Sequence, residues 1–264
     1  MMKKISNNEF KEIAYNMLES FHELCKIHRL QYVLDYGTLL GAVRHNGFIP
    51  WDDDIDVTMP RCDYERLCSL ASQKESIFGP NYRLSFPGSR FSVRKPMANL
   101  VDIRTIVESP NRQEKFFYPI WIDIFPMDFA PFGKQDVEQI YNKIQRQIWY
   151  TRKAMDRREG SHRIARSIFG DANIPLIQHR LKKADLLAKS FPTNPKLISF
   201  MAPYGVKDIV NADYFDRPRT MKFENGLFMI PQEYDLRLKN LYGNYMELPS
   251  EENRIPHSTQ AYWI

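Results

Sequence analysis

Residues 36–67 read YGTLLGAVRHNGFIPWDDDIDVTMPRCDYERL, and this stretch decides how the rest of the chain is read. At its centre Asp52, Asp53, Asp54 and Asp56 place four carboxylates within five residues. Carboxylates this crowded repel one another unless a cation sits among them or protons neutralise them. Ile55 to Met59, stopped by Pro60, reads as a strand. On extended backbone Asp54 and Asp56 leave from one face, while Ile55 and Val57 leave from the other. Two oxygen ligands on one rigid face suit Mg²⁺ or Mn²⁺. Taken alone, the cluster fits an acidic surface loop about as well. A calcium loop of the EF-hand type fails, because Val57 stands where glycine is required and Asp63 where glutamate is required. The paired acids of glycosidases seldom crowd so closely in sequence.

Upstream, Tyr32 to Tyr36 reads as a short strand broken by Gly37, and Thr38 starts a short helix that ends at Asn46-Gly47. Free N–H groups and the helix dipole make such a turn favourable for a phosphate. Gly37 would let the phosphate approach the backbone and Thr38 would offer a hydroxyl. Arg44 and His45, one to two turns on, could neutralise a diphosphate, though each alone is more often a surface residue. Gly37-Thr38 is weak evidence by itself. Followed by an acidic strand about 16 residues later, it outlines the nucleotidyltransferase arrangement, with donor phosphates on the turn and metals on the strand. A third acid is expected from a neighbouring strand, and Asp123, alone in the apolar run Ile120–Phe125, is the natural candidate. Asp128, past Pro126, is a weaker one.

Further out, Ser6-x-x-Glu9 reads as a capping box, and the apolar spacing from Phe10 to Cys25 predicts a helix to about residue 28. Another helix is predicted over about 61–74. Tyr82–Phe86, Ala98–Glu108 and Phe117–Phe125 carry the β-branched and aromatic residues of strands. Lys134 to about Ser190 reads as helical, broken near Gly160 and at 170–175. Glu224-Asn225-Gly226 signals a hairpin turn, a short helix over about 231–241 follows, and the tail reads as irregular. These elements predict an α/β (α+β) fold: a nucleotidyltransferase-like mixed β-sheet core flanked by helices, with an added, mainly helical lobe. The expected division is a catalytic core over 1–132, a basic helical lobe over 133–205, and a C-terminal segment over 206–264 packing back on the core.

The 264 residues are 43% apolar, so by surface scaling the chain would hide roughly 70% of its unfolded surface without disulfides or metal staples. Disordered and collagen-like chains are thereby excluded. The three cysteines show no CxxC pairing, which argues against a zinc knuckle or disulfide framework and for a reducing compartment. The opening MMKKISNNEFKEI lacks the apolar run of a secretion signal, and no stretch approaches 18 uncharged apolar residues. A cytoplasmic protein is expected. The net charge is +5, and residues 141–190 hold 12 Lys and Arg against 4 Asp and Glu. That lobe reads equally as a solvated helix face or as a contact for an anionic partner such as a lipid head group, at the inner face of a membrane.

The 36–67 block closely resembles the signature of the LicD family of phosphotransferases, within the nucleotidyltransferase-like superfamily and distantly similar to fukutin-related protein. WIDIFPMD at 121–128 and LYGNYMELPSEENRIPH at 241–257 also resemble family blocks. The resemblance implies transfer of a phosphorylated alcohol, most commonly phosphocholine, from a CDP-linked donor to a hydroxyl of a glycan or teichoic-acid precursor, with release of CMP. It implies that Asp54, Asp56 and Asp123 bind a divalent metal, Mg²⁺ or Mn²⁺, and that Gly37 and Thr38 carry donor phosphate. Arg254 and His257 match the terminal block. Asn99 is a departure, falling where many members have a lysine.

A choline group would want an aromatic cage, for which Tyr118, Trp121, Trp149 and Tyr150 are candidates. CDP-ribitol or CDP-glycerol would instead need hydroxyl-binding groups. The partners expected are therefore the CDP-linked donor, CDP-choline first, and a glycan, teichoic-acid or lipopolysaccharide precursor, which may be lipid-linked; nucleic acid is not among them. Asp53 or Asp123 is nominated to take the acceptor proton. Two other readings stay open: a nucleotidyltransferase using NTP, and a non-catalytic glycan-binding relative, which the clustered acids disfavour.

Overall fold

The computed structural model describes residues 2–89, 95–108, 117–156, 174–254 and 260–264. In chain order it runs β1 (Lys3–Ile5), α1 (Asn7–His28), β2 (Val33–Leu34), α2 (Tyr36–His45), β3 (Asp56–Pro60), α3 (Arg61–Gln73), β4 (Tyr82–Ser85), β5 (Ala98–Glu108) and β6 (Phe117–Phe129). There follow α4 (Lys134–Asp156), α5 (Ile174–Ala188), β7 (Lys196–Ile198), β8 (Val210–Asn211), β9 (Arg219–Phe223), β10 (Gly226–Ile230), α6 (Tyr234–Tyr242) and β11 (Gln260–Trp263). This is the α+β architecture read from the sequence. Nine strands form one large, mostly antiparallel sheet, with β9 and β10 as a separate hairpin.

The main path of the sheet is β1-β11-β5-β6-β3-β2. β5 is long enough that β4 covers the first half of its outer edge and β11 the second. Leaving no long open edge protects it from unwanted strand pairing. β3 and β6 are the parallel pair; the other pairings are antiparallel. Pro126 sits inside β6 without breaking it. It lies where the β5 partner has ended, at Ile124, and the β7 partner, from Asp128, has not begun, so no ladder bond is lost there.

α1 opens on the full capping box, with Ser6 accepting from the Glu9 backbone N–H and Glu9 accepting from that of Ser6. Its apolar face (Phe10, Ile13, Met17, Leu18, Phe21) joins Ile55, Val57, Ile122 and Ile124 of the sheet in the main core. A second core lies between α4, α5 and the far end of β6, around Ile144, Ala184 and Phe200.

Three local readings are corrected. The helix expected from Thr38 starts at Tyr36, because Asp35 caps it through its side chain, which accepts from the Tyr36 N–H. The strand before it shrinks to Val33–Leu34 accordingly. The irregular tail ends in β11, which inserts between β1 and β5. Four residues of ordinary composition gave the sequence no period to show this.

Candidate active site

The site forms where β3 and β6 run side by side. Their register sets Asp56 opposite Asp123, and on the other side of β6 the register sets Asn99 opposite Asp123. Strand neighbours in register project to the same face, about 5 Å apart. Asp56, Asp123 and Asn99 therefore form one row across three strands. Ile55, Val57, Ile122 and Ile124 take the opposite face and are fully buried. The alternation that builds the core thus fixes the acids at the surface above it.

Asp54, just before β3, joins this row electrostatically. Its pKa stands well above the ordinary carboxylate value, first because of burial, then because of Asp52, Asp123 and Asp53. Asp56 is raised likewise, by burial and then by Asp54, Asp123 and Asp52, with Lys95 pulling it back down. Negative charge here outweighs the cations that answer it.

Asp123 is differently placed. Lys95 Nζ donates to both its oxygens, at 2.8 and 3.2 Å, Asn99 Nδ2 donates to Oδ1, and Trp121 Nε1 donates to Oδ2 at 3.2 Å. The Lys95 ammonium also lies 4.0 Å from the centre of the Trp121 ring, a cation–π contact. Among the described residues, no three His, Cys, Asp or Glu side chains are grouped to hold a metal ion as they stand. The chemistry of the set nevertheless fits one. Asp54, Asp56 and Asp123 are hard carboxylate oxygens, the ligand type that Mg²⁺ and Mn²⁺ prefer.

The two residues of the preceding turn are both accounted for. A Cβ on Gly37 would come within 3.0 Å of Asp52 Oδ2, so the acidic loop packs directly on the start of α2. Thr38 is buried, and its hydroxyl oxygen accepts the Asp56 N–H at 2.8 Å, tying α2 to β3. Asp53 lies close enough for its charge to act on both Asp54 and Lys11. Lys11 in turn donates to the carbonyls of Ile49 and Pro50 at the base of the loop.

The basic candidates gather around Trp51, just ahead of the acids. His45 meets the Trp51 ring edge-on at 6.2 Å, and the Arg254 guanidinium lies 5.5 Å from the same ring. Arg44 donates to the carbonyls of Tyr245 and Glu247 at 2.7 and 3.3 Å. Burial and then the nearby Arg254 lower its pKa. His257 lies outside the described residues. Of the aromatic candidates, Trp121 lies at the acids with Tyr118 6.4 Å away, ring centre to centre. Trp149 and Tyr150 instead pair with each other on α4, with Arg180 over Tyr150. Asp128, expected on a loop, lies within β6 because that strand continues past Pro126, and it is bound to Arg61 at 2.6 and 2.8 Å.

The structure adds residues that the sequence reading passed over. Asp35 is fully buried beneath the α2 turn. It accepts from Thr58 Oγ1 at 3.2 Å, Tyr214 OH at 3.1 Å, and Arg237 Nε and Nη2 at 2.9 and 3.0 Å. Arg237 Nη2 also donates to Asp208 at 2.6 Å. Above this knot, Tyr36 holds φ at +49°, a left-handed conformation that costs an aromatic residue on the order of 1 kcal/mol. It is kept there by Tyr204 stacked at 5.1 Å, Phe125 edge-on at 5.3 Å, and Arg237 over its ring at 5.1 Å. Tyr204 and Tyr242 share a 3.0 Å hydroxyl–hydroxyl bond and feel the charge of Asp56, so they stand near the acids. A helix cap before Gly37 was a readable signal for Asp35. Nothing in the YDLRLKNLY helix marked Arg237 as buried.

Residues 29–138, which carry α2, β3, β5 and β6, match the family model described as LicD/FKTN/FKRP, nucleotidyltransferase domain. The whole chain aligns with the lipopolysaccharide cholinephosphotransferase LicD of Haemophilus influenzae, at 29% identity over 271 residues and 100% of both chains. An uncharacterized protein of Rickettsia prowazekii is 29% identical over 135 residues, covering 47% of this chain and 48% of its own. The chain thus carries, over residues 29–138, a match to the LicD/FKTN/FKRP nucleotidyltransferase domain and is similar from end to end to a LicD protein.

Proposed function

We propose that this protein is a metal-dependent phosphotransferase that moves phosphocholine from CDP-choline to a hydroxyl of a lipopolysaccharide-type glycan and releases CMP. The observation that carries this reading is the row of Asp56 and Asp123 in register on adjacent strands, joined by Asp54, where burial and then neighbouring carboxylates raise the pKa of Asp54 and Asp56. A fold stabilised for its own sake would not gather acids that disfavour their own ionisation. The end-to-end relative named as a cholinephosphotransferase supports choline over other alcohols.

Asp54, Asp56 and Asp123 would hold the cation. When bound, a divalent ion would supply charge neutralisation to the donor's two phosphates and to the departing CMP. The other work belongs to the chain. The first turn of α2, on which the acidic loop packs at Gly37, would offer the positive end of a helix to phosphate. Arg44 and Arg254 form a positive flank for the donor beside Trp51, and His45, whose pKa is lowered by burial and then by Arg44, adds a neutral ring. The acceptor oxygen attacks the choline-bearing phosphorus and the bond from that phosphorus to the CMP oxygen breaks. CMP leaves with the electron pair, and the acceptor proton passes to Asp53 or Asp123. Positioning and electrostatics supply most of the rate in such displacements.

The test is a donor panel: CDP-choline, CDP-ethanolamine, CDP-glycerol, CDP-ribitol and CTP, each with choline-free lipopolysaccharide and Mg²⁺ or EDTA. The expected result is Mg²⁺-dependent CMP, highest with CDP-choline, and stoichiometric phosphocholine on the glycan. Pyrophosphate from CTP would make the protein a nucleotidyltransferase instead, and a different preferred CDP-alcohol would move the donor assignment.

A further inference from the structure

The acidic row contains an asymmetry. Asp123 is answered directly by an ammonium, an amide and an indole N–H, whereas Asp54 and Asp56 are raised by burial and then by the neighbouring carboxylates. Asn99 lies in register with Asp123 but brings no charge. The charge comes from Lys95, in the segment that leads into β5, with Nζ 2.8 Å from Asp123. Its side chain keeps 25% of its surface exposed. Pro96 follows it and restricts its backbone to extended conformations, which fixes where the flexible stem begins.

We propose that Lys95 is the resident counter-cation of Asp123 and a ligand of the donor phosphate, the two roles alternating as metal and donor enter. This inference rests on the metal-dependent reading above. An ammonium and a divalent cation cannot share the same carboxylate oxygens without strong repulsion. For Asp123 to ligate metal, Lys95 must leave it. The diphosphate arrives with the metal, and an ammonium on a four-carbon stem can turn to meet it as a compact point charge. Trp121 supports both positions, since its ring face holds the ammonium near the row while its Nε1 orients Asp123. No bond is made or broken; the lysine changes partner. Lys95 thus supplies from outside the strand the positive charge that Asn99 does not.

The experiment measures Mn²⁺ binding by electron paramagnetic resonance in the full-length protein without donor, in the wild type, K95M and K95R. Removing the competitor should tighten Mn²⁺ binding in K95M by about tenfold, the equivalent of about 1.4 kcal/mol. K95R, which keeps the charge, should stay within about threefold of the wild type, roughly 0.65 kcal/mol on the same scale. In steady-state assays K95M should raise KM for the CDP-donor and lower kcat, with K95R restoring part of both. Unchanged or weaker Mn²⁺ binding in K95M, alongside normal binding in the wild type, would overturn this inference and leave the phosphotransferase reading standing. A wild type that binds no Mn²⁺ at all would overturn both.

Discussion

Two sets of carboxylates lie on either side of the α2 turn, and they are solved in opposite ways. Asp35 and Asp208, fully buried, are answered from within the chain by Arg237, with Thr58 and Tyr214 completing the hydrogen bonds of Asp35. Asp54 and Asp56 have their pKa values pushed well up, first by burial and then by the carboxylates around them, Asp52 and Asp123 among them. The first set is closed by Arg237, although burial still lifts the Asp208 pKa to about 6; the second, the open set, is the one to which the proposed cation would bind. The closed set shapes the turn and the open set receives what the turn presents. Electrostatic satisfaction, rather than the number of acids, separates the scaffold from the site.

Substitutions at the two sets should therefore break different things. The largest effect is expected at the open set: D54N or D56N should lower turnover by at least about a thousandfold, on the order of 4 kcal/mol. Melting temperature should hold or rise, because a self-repelling charge is gone. At the closed set the order reverses. R237M leaves Asp35 and Asp208 buried without their cation and should cost about 3–5 kcal/mol of stability, read in urea melts. An R237M protein as stable as the wild type would mean that the knot is not holding the turn.

The pH dependence sharpens the contrast. The folded-state pKa values of Asp54 and Asp56 are raised, so their contribution to stability is fully present below the ordinary carboxylate range near 4. It is lost as pH rises through the folded values. The metal-free protein should accordingly lose stability as pH rises above that range. The rise in melting temperature on adding Mg²⁺ or Mn²⁺ should be larger at pH 8 than at pH 6. A stabilisation independent of pH would disconnect the metal from these acids. The smallest effects are at single donors. W121F removes the indole N–H from Asp123 and T58V removes a hydroxyl from Asp35, each worth about 1 kcal/mol. The former should appear in turnover, and the latter in stability alone.

The open set was legible in the sequence because repulsion between adjacent acids is a local property, visible in residues 52–56 without a fold. Asp123 was legible because an acid in an apolar strand needs a reason. β5 carried its own period and was read to the residue, whereas β6 runs four residues beyond the expected Phe125, through Pro126 to Phe129. The closed set was not legible. Asp35 and Arg237 are 202 residues apart, and only the packing of α6 beneath the α2 turn makes them partners. Lys95 escaped for a similar reason: attention to the strand position at Asn99 could not show that a lysine four residues earlier reaches the same carboxylate. Local repulsion is written in the chain, whereas long-range compensation is written in the fold.

The most direct measurement is anomalous diffraction at the manganese edge from crystals grown with Mn²⁺ and CDP-choline. A manganese peak coordinated by Asp54, Asp56 and Asp123 is expected, with the donor's phosphates beside it and the Lys95 ammonium turned toward them. Donor bound at this corner with no manganese among these three carboxylates, or manganese held elsewhere, would contradict this expectation.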